Sequence, residues 1–167
     1  MNYFTLYNLP ITLQPDQKLV KEKFYELSRK YHPDFYTTQS NEEQAVILEK
    51  ASFVNMAYKV FLQPENTLKY VLQLKGLLEE EEKYQLSADF LMEVLELNEQ
   101  AMDISDDADK ERLSNTIANF QTEIYETVEP IITNYQEGIT TEKELLQVKE
   151  YYYRKKYLDR ILAGLKW

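Results

Sequence analysis

The chain has 167 residues, 44% of them hydrophobic, no cysteine and a formal net charge of -10. These values exclude disulfides, cysteine-ligated zinc and iron-sulfur ligation by this chain, and they argue against general nucleic-acid binding, which needs clustered Lys and Arg. Three glycines and five prolines leave little turn chemistry, while Leu, Glu, Lys and Gln recur throughout, so an all-α fold is expected.

No run approaches the ~18 apolar residues of a membrane span, and Met1 to Pro10 lacks a basic stretch followed by an apolar one. The expected location is the cytoplasm, with no membrane partner. The charge is unevenly spread. Residues 1–75 carry nine basic and eight acidic side chains, whereas residues 76–167 carry ten and twenty-one, a split that suggests two modules with different partners. Gly76 and Gly138 stand where helices are expected to end, and the run Glu79 to Glu82 follows the first. The expected organisation is a first domain over 1–76, an acidic linker over 77–86 and a second domain over 87–167.

In chain order, the apolar segment Tyr3 to Leu9 comes first and is placed over the open side of a helical hairpin. Pro15 and Asp16 then open a helix whose Val20, Phe24, Leu27 and Tyr31 form one stripe. Ser40 with Glu43 has the capping-box pattern and starts a second helix through Ile47, Val54, Ala57, Tyr58 and Phe61, which Pro64 stops near Leu62. A short helix from about Glu65 to Lys75 completes the first domain. The second domain reads as an antiparallel three-helix bundle. Its first helix spans about Ser87 to Met102. The second carries Leu113, Ile117, Phe120, Ile124, Val128, Ile131 and Tyr135, with a bend expected at Pro130, and the third starts at Thr141 with Glu144 as a capping box.

The single histidine stands in Tyr31-His32-Pro33-Asp34, at the end of the first long helix. Pro33 disfavours the α region for His32 and cannot extend the helix, and Asp34 is able to close a local turn with its carboxylate. An imidazole and a carboxylate are thereby held at a stiff hairpin tip. Lys18, Lys21, Lys23, Arg29 and Lys30 make the preceding helix basic, so tip and flank suit an acidic docking surface. On its own, the tripeptide also reads as a plain helix stop and turn. A catalytic reading, with Asp34 orienting His32 as general base, lacks a nucleophile or binding loop nearby, and a lone histidine does not make a metal site. No catalytic residue, metal or cofactor is expected.

Asn2-Tyr3-Phe4 through Leu9-Pro10, the Tyr-His-Pro-Asp turn between two long helices, and Val54-Asn55-Met56-Ala57-Tyr58 resemble the J-domain of DnaJ-class proteins over residues 1 to about 75. Lys69-Tyr70-Val71-Leu72-Gln73-Leu74-Lys75-Gly76, Asp89-Phe90-Leu91-Met92-Glu93 and Leu95-Glu96-Leu97 are similar, more narrowly, to the HscB family of iron-sulfur co-chaperones. This resemblance implies a non-enzymatic co-chaperone. The turn of His32, Pro33 and Asp34, helped electrostatically by Lys21, Arg29 and Lys30, would engage a DnaK/HscA-class ATPase and accelerate its hydrolysis, while the bundle would hold an IscU-type cluster scaffold. Two departures stand out. Phe35 follows Asp34 where many J-domains have a basic residue, and Thr67-Leu68-Lys69 replaces the Arg-Ala pair usual before the Tyr. The absence of an amino-terminal cysteine motif points to a bacterial-type member.

Assigning about 100° per residue to the helix from Ser87 places Phe90, Val94, Leu97 and Ala101 on one face and Leu91, Leu95, Met102 and Met92 on an adjacent arc. The apolar arc exceeds what one core contact needs, so part is expected to face solvent with Glu96, Glu99 and Asp103 at its edge. Packing against two neighbouring helices would widen the buried arc and absorb Leu91 and Leu95 instead. The family resemblance assigns scaffold contact to Leu91, Leu95, Glu96, Glu99 and Tyr157, the last at a position often held by Phe. On the third helix, Val148, Tyr151, Leu158 and Leu162 are the expected core, with Tyr153 and Tyr157 on another face. Nothing demands more than a monomer, and a different client or a purely structural helical adaptor are the alternative readings.

Overall fold

The computed structural model describes residues 2–165, so the outer ends of the two expected domains, residue 1 and residues 166–167, lie outside the described residues. Seven α-helices occur among them, with no strand. The chain divides into two compact units. One comprises the chain up to Leu74 with Tyr135–Ile139, the other Lys75–Asn134 and the chain from Thr140 onward.

In the first unit, helix α1 (Tyr3–Leu6) precedes the long pair α2 (Gln17–Lys30) and α3 (Asn41–Leu62), and α4 (Pro64–Leu74) follows. Local chemistry sets the starts. The Asp16 carboxylate accepts from the Lys18 and Leu19 N–H groups, and the Ser40 hydroxyl accepts from the Glu43 N–H, satisfying donors that a helix leaves open. Helices α2 and α3 run antiparallel, since Gln17 donates to the Phe61 carbonyl at 2.9 Å, Phe24 stacks on Tyr58 at 3.9 Å, and the Lys50 ammonium lies over Tyr31. Segment α1 closes the open side. Phe4 and Tyr7 are fully buried against Phe61, with ring centroids 5.0 and 5.1 Å away, and the Tyr7 hydroxyl donates to the Val54 carbonyl at 2.7 Å. Burial pushes the Tyr7 phenol well above its ordinary pKa.

Only Gln63, with extended backbone, separates α3 from α4. Pro64 ends the first helix and serves as the opening residue of the next, where its missing N–H costs nothing to α4. The unusual Thr67-Leu68 pair is core: both residues are buried, and the Thr67 hydroxyl donates to the Val60 carbonyl at 2.8 Å.

In the second unit, α5 (Ala88–Met102), α6 (Asp107–Thr133) and α7 (Glu142–Gly164) pack on one another. Helices α6 and α7 are antiparallel, with Gln121 reaching Asp159 at 2.7 Å and the ring of Tyr125 against Tyr151. Ser87, Asp106 and Thr141 cap the three starts, and Thr141 with Glu144 forms the full reciprocal box. The core contains Phe90, Val94 and Leu97 from α5, Leu113, Ile117, Ile124, Val128 and Ile132 from α6, and Leu145, Val148, Tyr151 and Leu158 from α7. Three details depart from the sequence reading. Ile132 takes the buried place expected of Ile131, Leu162 is only half-buried, and α6 runs past Pro130 but stops at Thr133. Tyr135 therefore lies outside the helix, and Gly138, at φ +80°, serves the turn beyond it.

The acidic segment 77–86 is attached to α7. Leu78 and Leu86 are buried, Glu82 pairs with Lys149 at 2.9 Å and accepts from the Tyr153 hydroxyl at 3.2 Å, and Tyr84 stacks on Tyr153 while donating to Glu150. Burial, then the hydrogen bond to Glu150, pushes the Tyr84 phenol up to about 12.

Candidate functional site

At the end of α2 the chain leaves the helix through His32, whose φ and ψ of -70° and 128° are those favoured before proline. Pro33 then opens a single 3₁₀ turn, Pro33–Tyr36. The Asp34 N–H donates to His32 Nδ1 at 3.2 Å, the Phe35 N–H donates to the His32 carbonyl at 3.1 Å, and the Tyr36 hydroxyl donates to the Lys30 carbonyl at 2.6 Å. These bonds fix the turn and one open carbonyl at the end of α2. The His32 and Asp34 side chains stay outside: His32 is 53% and Asp34 85% exposed, with His32 Nδ1 3.7 Å from Asp34 Oδ2.

On α2 the cations do not form one group. With about 100° per residue, Lys18, Lys21, Tyr25 and Arg29 share the face opposite the buried Val20 and Leu27, and all four are exposed. Lys30 instead turns its ammonium over the Tyr31 ring at 5.3 Å, beside Lys50 on the same ring at 5.5 Å. Lys21 and Arg29 thus line the approach to the turn, and Lys30 stands apart. Sequence reasoning did not single out Tyr25, which is half exposed in the middle of the stripe. Its fourfold spacing from Lys21 and Arg29 was the available signal.

Among the described residues, no group of three or more His, Cys, Asp or Glu side chains is placed to hold a metal ion.

On the second unit, α5 buries Phe90, Val94 and Leu97 while Leu91, Met92, Leu95 and Met102 are 41, 69, 59 and 85% exposed. Glu96 and Glu99 lie exposed on the same outer surface. A cleft of ≈ 400 Å³ opens beside it between α5 and α6, with Leu97 and Phe120 at its base and Glu93, Glu96 and Glu123 among its walls. Tyr157 on α7 is partly exposed under the Arg160 guanidinium, 5.5 Å from its ring centroid. Tyr153 is held by Tyr84 and Glu82.

Residues 86–166 match the family model described as the HSCB C-terminal oligomerisation domain. A co-chaperone protein HscB homolog of Vibrio parahaemolyticus is 37% identical over 112 residues, 66% of this chain and 66% of that protein. The co-chaperone protein HscB of Proteus mirabilis is 33% identical over 125 residues, 74% of this chain and 70% of that one. The chain belongs to the HscB co-chaperone family. The solved structure of the chaperone HscB from Vibrio cholerae shares the fold, with a TM-score of 0.75 at 24% identity over 99% of this chain and 96% of that one. The match to the Vibrio parahaemolyticus relative spans about two thirds of its length. The exposed leucine arc falls inside the stretch matched by the HscB model, and the all-helical architecture is that of the HscB fold. No helix among the described residues is long and apolar enough to cross a membrane.

Proposed function

We propose that this chain stimulates the ATPase of a DnaK/HscA-class chaperone and delivers to it an IscU-type iron-sulfur scaffold, working in the cytoplasm as a monomer. The chemistry belongs to the chaperone. The observation that carries the reading is the turn at His32–Asp34, which holds an exposed imidazole and carboxylate rigidly at the end of a helix whose Lys18, Lys21 and Arg29 share one face. Rigidity matters because a preorganised turn loses little conformational freedom on docking. The basic stripe contributes steering toward an acidic surface, an effect that weakens with salt.

Leu91 and Leu95 supply the apolar centre of the scaffold site, with Glu96 and Glu99 as its rim and Tyr157 at its border. Membership of the HscB family supports this assignment, as does the exposure of both leucines on one arc of α5 beside acidic residues, which fits a partner surface. One polypeptide carrying both surfaces raises the local concentration of client at the chaperone.

The test is steady-state ATP hydrolysis by a cognate DnaK-class chaperone, with wild-type chain and His32→Gln, each with and without scaffold. Stimulation by wild type, lost in the variant and enhanced by scaffold, is the expected outcome. Stimulation with no response to scaffold would point to a different client, and none in any condition from folded protein would leave a helical adaptor. Sedimentation of the chain alone tests the monomer, against the self-association that the name of the matched family model suggests.

A further inference from the structure

Phe35 is the most exposed aromatic side chain among the described residues, at 70%, and it stands directly after the exposed Asp34. Its ring meets the His32 ring edge-on, with centroids 6.0 Å apart. The backbone beneath it is fixed on both sides, by its own N–H on the His32 carbonyl and by the neighbouring Tyr36 hydroxyl on the Lys30 carbonyl. An isolated exposed apolar residue is ordinary on a protein surface. This one differs in being a large ring, with few rotatable bonds, on a stiff turn between groups that face the partner. That is the make-up of an interface hot spot, in which a rigid aromatic fills a dry pocket and charges surround it.

Resting on the function proposed above, we propose that Phe35 is an apolar anchor for the ATPase chaperone, inserted into an apolar pocket of that partner beside the surface engaged by His32 and Asp34. The turn then has two separable tasks. His32 and Asp34 set how fast the bound chaperone hydrolyses ATP, and Phe35 sets how tightly the two proteins associate. Basic residues of α2 bring the partner in over a distance, and the ring contributes only at contact, so its share of the affinity is insensitive to salt.

The full chain is titrated into the chaperone and ATP hydrolysis followed to saturation, for wild type, Phe35→Ala, Phe35→Leu and His32→Gln. Truncating a central anchor is expected to raise the half-saturating concentration about tenfold in Phe35→Ala, at an unchanged plateau and equally at low and high salt. Phe35→Leu is expected to stay within about threefold of wild type, since it keeps most of the apolar contact. His32→Gln loses the plateau. Unchanged half-saturation in Phe35→Ala overturns the inference, as does a fallen plateau at wild-type half-saturation, which would make Phe35 a positioning residue for the His32 ring. Both of these leave the proposed function standing. Failure of wild type to stimulate at all removes that function and the anchor with it.

Discussion

The Thr67 hydroxyl donates at 2.8 Å to the Val60 carbonyl, the acceptor whose partner four residues on is Pro64, which has no N–H. A buried side chain thus fills the vacancy that the proline makes at the end of α3. Replacing Thr67 with Val keeps the shape and removes the donor, and should lower the stability of the first unit by about 1–3 kcal/mol. Thr67→Ser should retain most of it. Urea unfolding of the three proteins, followed by circular dichroism, checks the order. Equal midpoints for Thr67→Val and wild type would contradict this account of the α3–α4 junction.

Leu95 and Leu97 are two residues apart on α5 and are expected to fail in different assays. Leu97 is buried, so Leu97→Ala should cost about 2–5 kcal/mol of stability through the cavity it leaves. Leu95 is 59% exposed. Leu95→Ala should change stability by less than about 1 kcal/mol while weakening scaffold binding about tenfold or more. Calorimetric titration with scaffold, beside thermal unfolding, separates the two effects.

Burial pushes the Glu82 carboxyl up, but the hydrogen bond and charge of Lys149, with the Tyr153 hydroxyl, outweigh it and hold the group below the ordinary glutamate range. A carboxyl lowered in the folded state stabilises the fold above its unfolded value, and that contribution is lost as pH falls through the folded one. Lys149→Ala is expected to destabilise the chain by roughly 1 kcal/mol near neutrality. The gap from wild type should begin to shrink as pH falls through the ordinary glutamate value of about 4.3 and close as it falls through the lower one that Glu82 has in the folded wild type. Denaturation at pH 7 and at pH 3 measures it, and a gap of constant size would dissociate Glu82 from the effect.

His32→Gln and Asp34→Asn alter side chains that are mostly in water. Each should leave the unfolding midpoint within the equivalent of about 0.5 kcal/mol, while abolishing stimulation of the chaperone. Unfolding curves and the ATPase assay, run on the same preparations, test the separation of stability from function.

Much of this architecture was legible because it is written in short-range chemistry. Asp16, Ser40, Ser87 and Thr141 announce helix starts through their own side chains, and Pro33 dictates the exit from α2. Helical periodicity set Leu91 and Leu95 on an arc apart from Phe90 and Leu97 but left open whether neighbouring helices would cover it, and the structure leaves both exposed. What sequence could not supply depended on distant partners. Choosing Ile132 over Ile131 requires knowing where α7 lies, and the seating of Glu82 and Tyr84 joins residues more than sixty positions apart. Thr67 looked like a departure at a functional position, and its role emerged only with the carbonyl left open by Pro64. Lys30 was grouped with Lys21 and Arg29 by composition, although helix geometry sets it on another side.

The hydrogen bonds made by His32, Asp34 and Phe35 begin and end between Arg29 and Phe35, and the Tyr36 hydroxyl adds one to the Lys30 carbonyl. The turn is therefore self-contained, like a fitting that keeps its form whatever frame it is bolted to. Substitutions in α1 or α4 can tilt it or loosen its mounting, but they have no bond through which to reshape it. Damage to the core should accordingly be heard by a partner as a change in how often the turn is correctly presented, never as a change in what is presented.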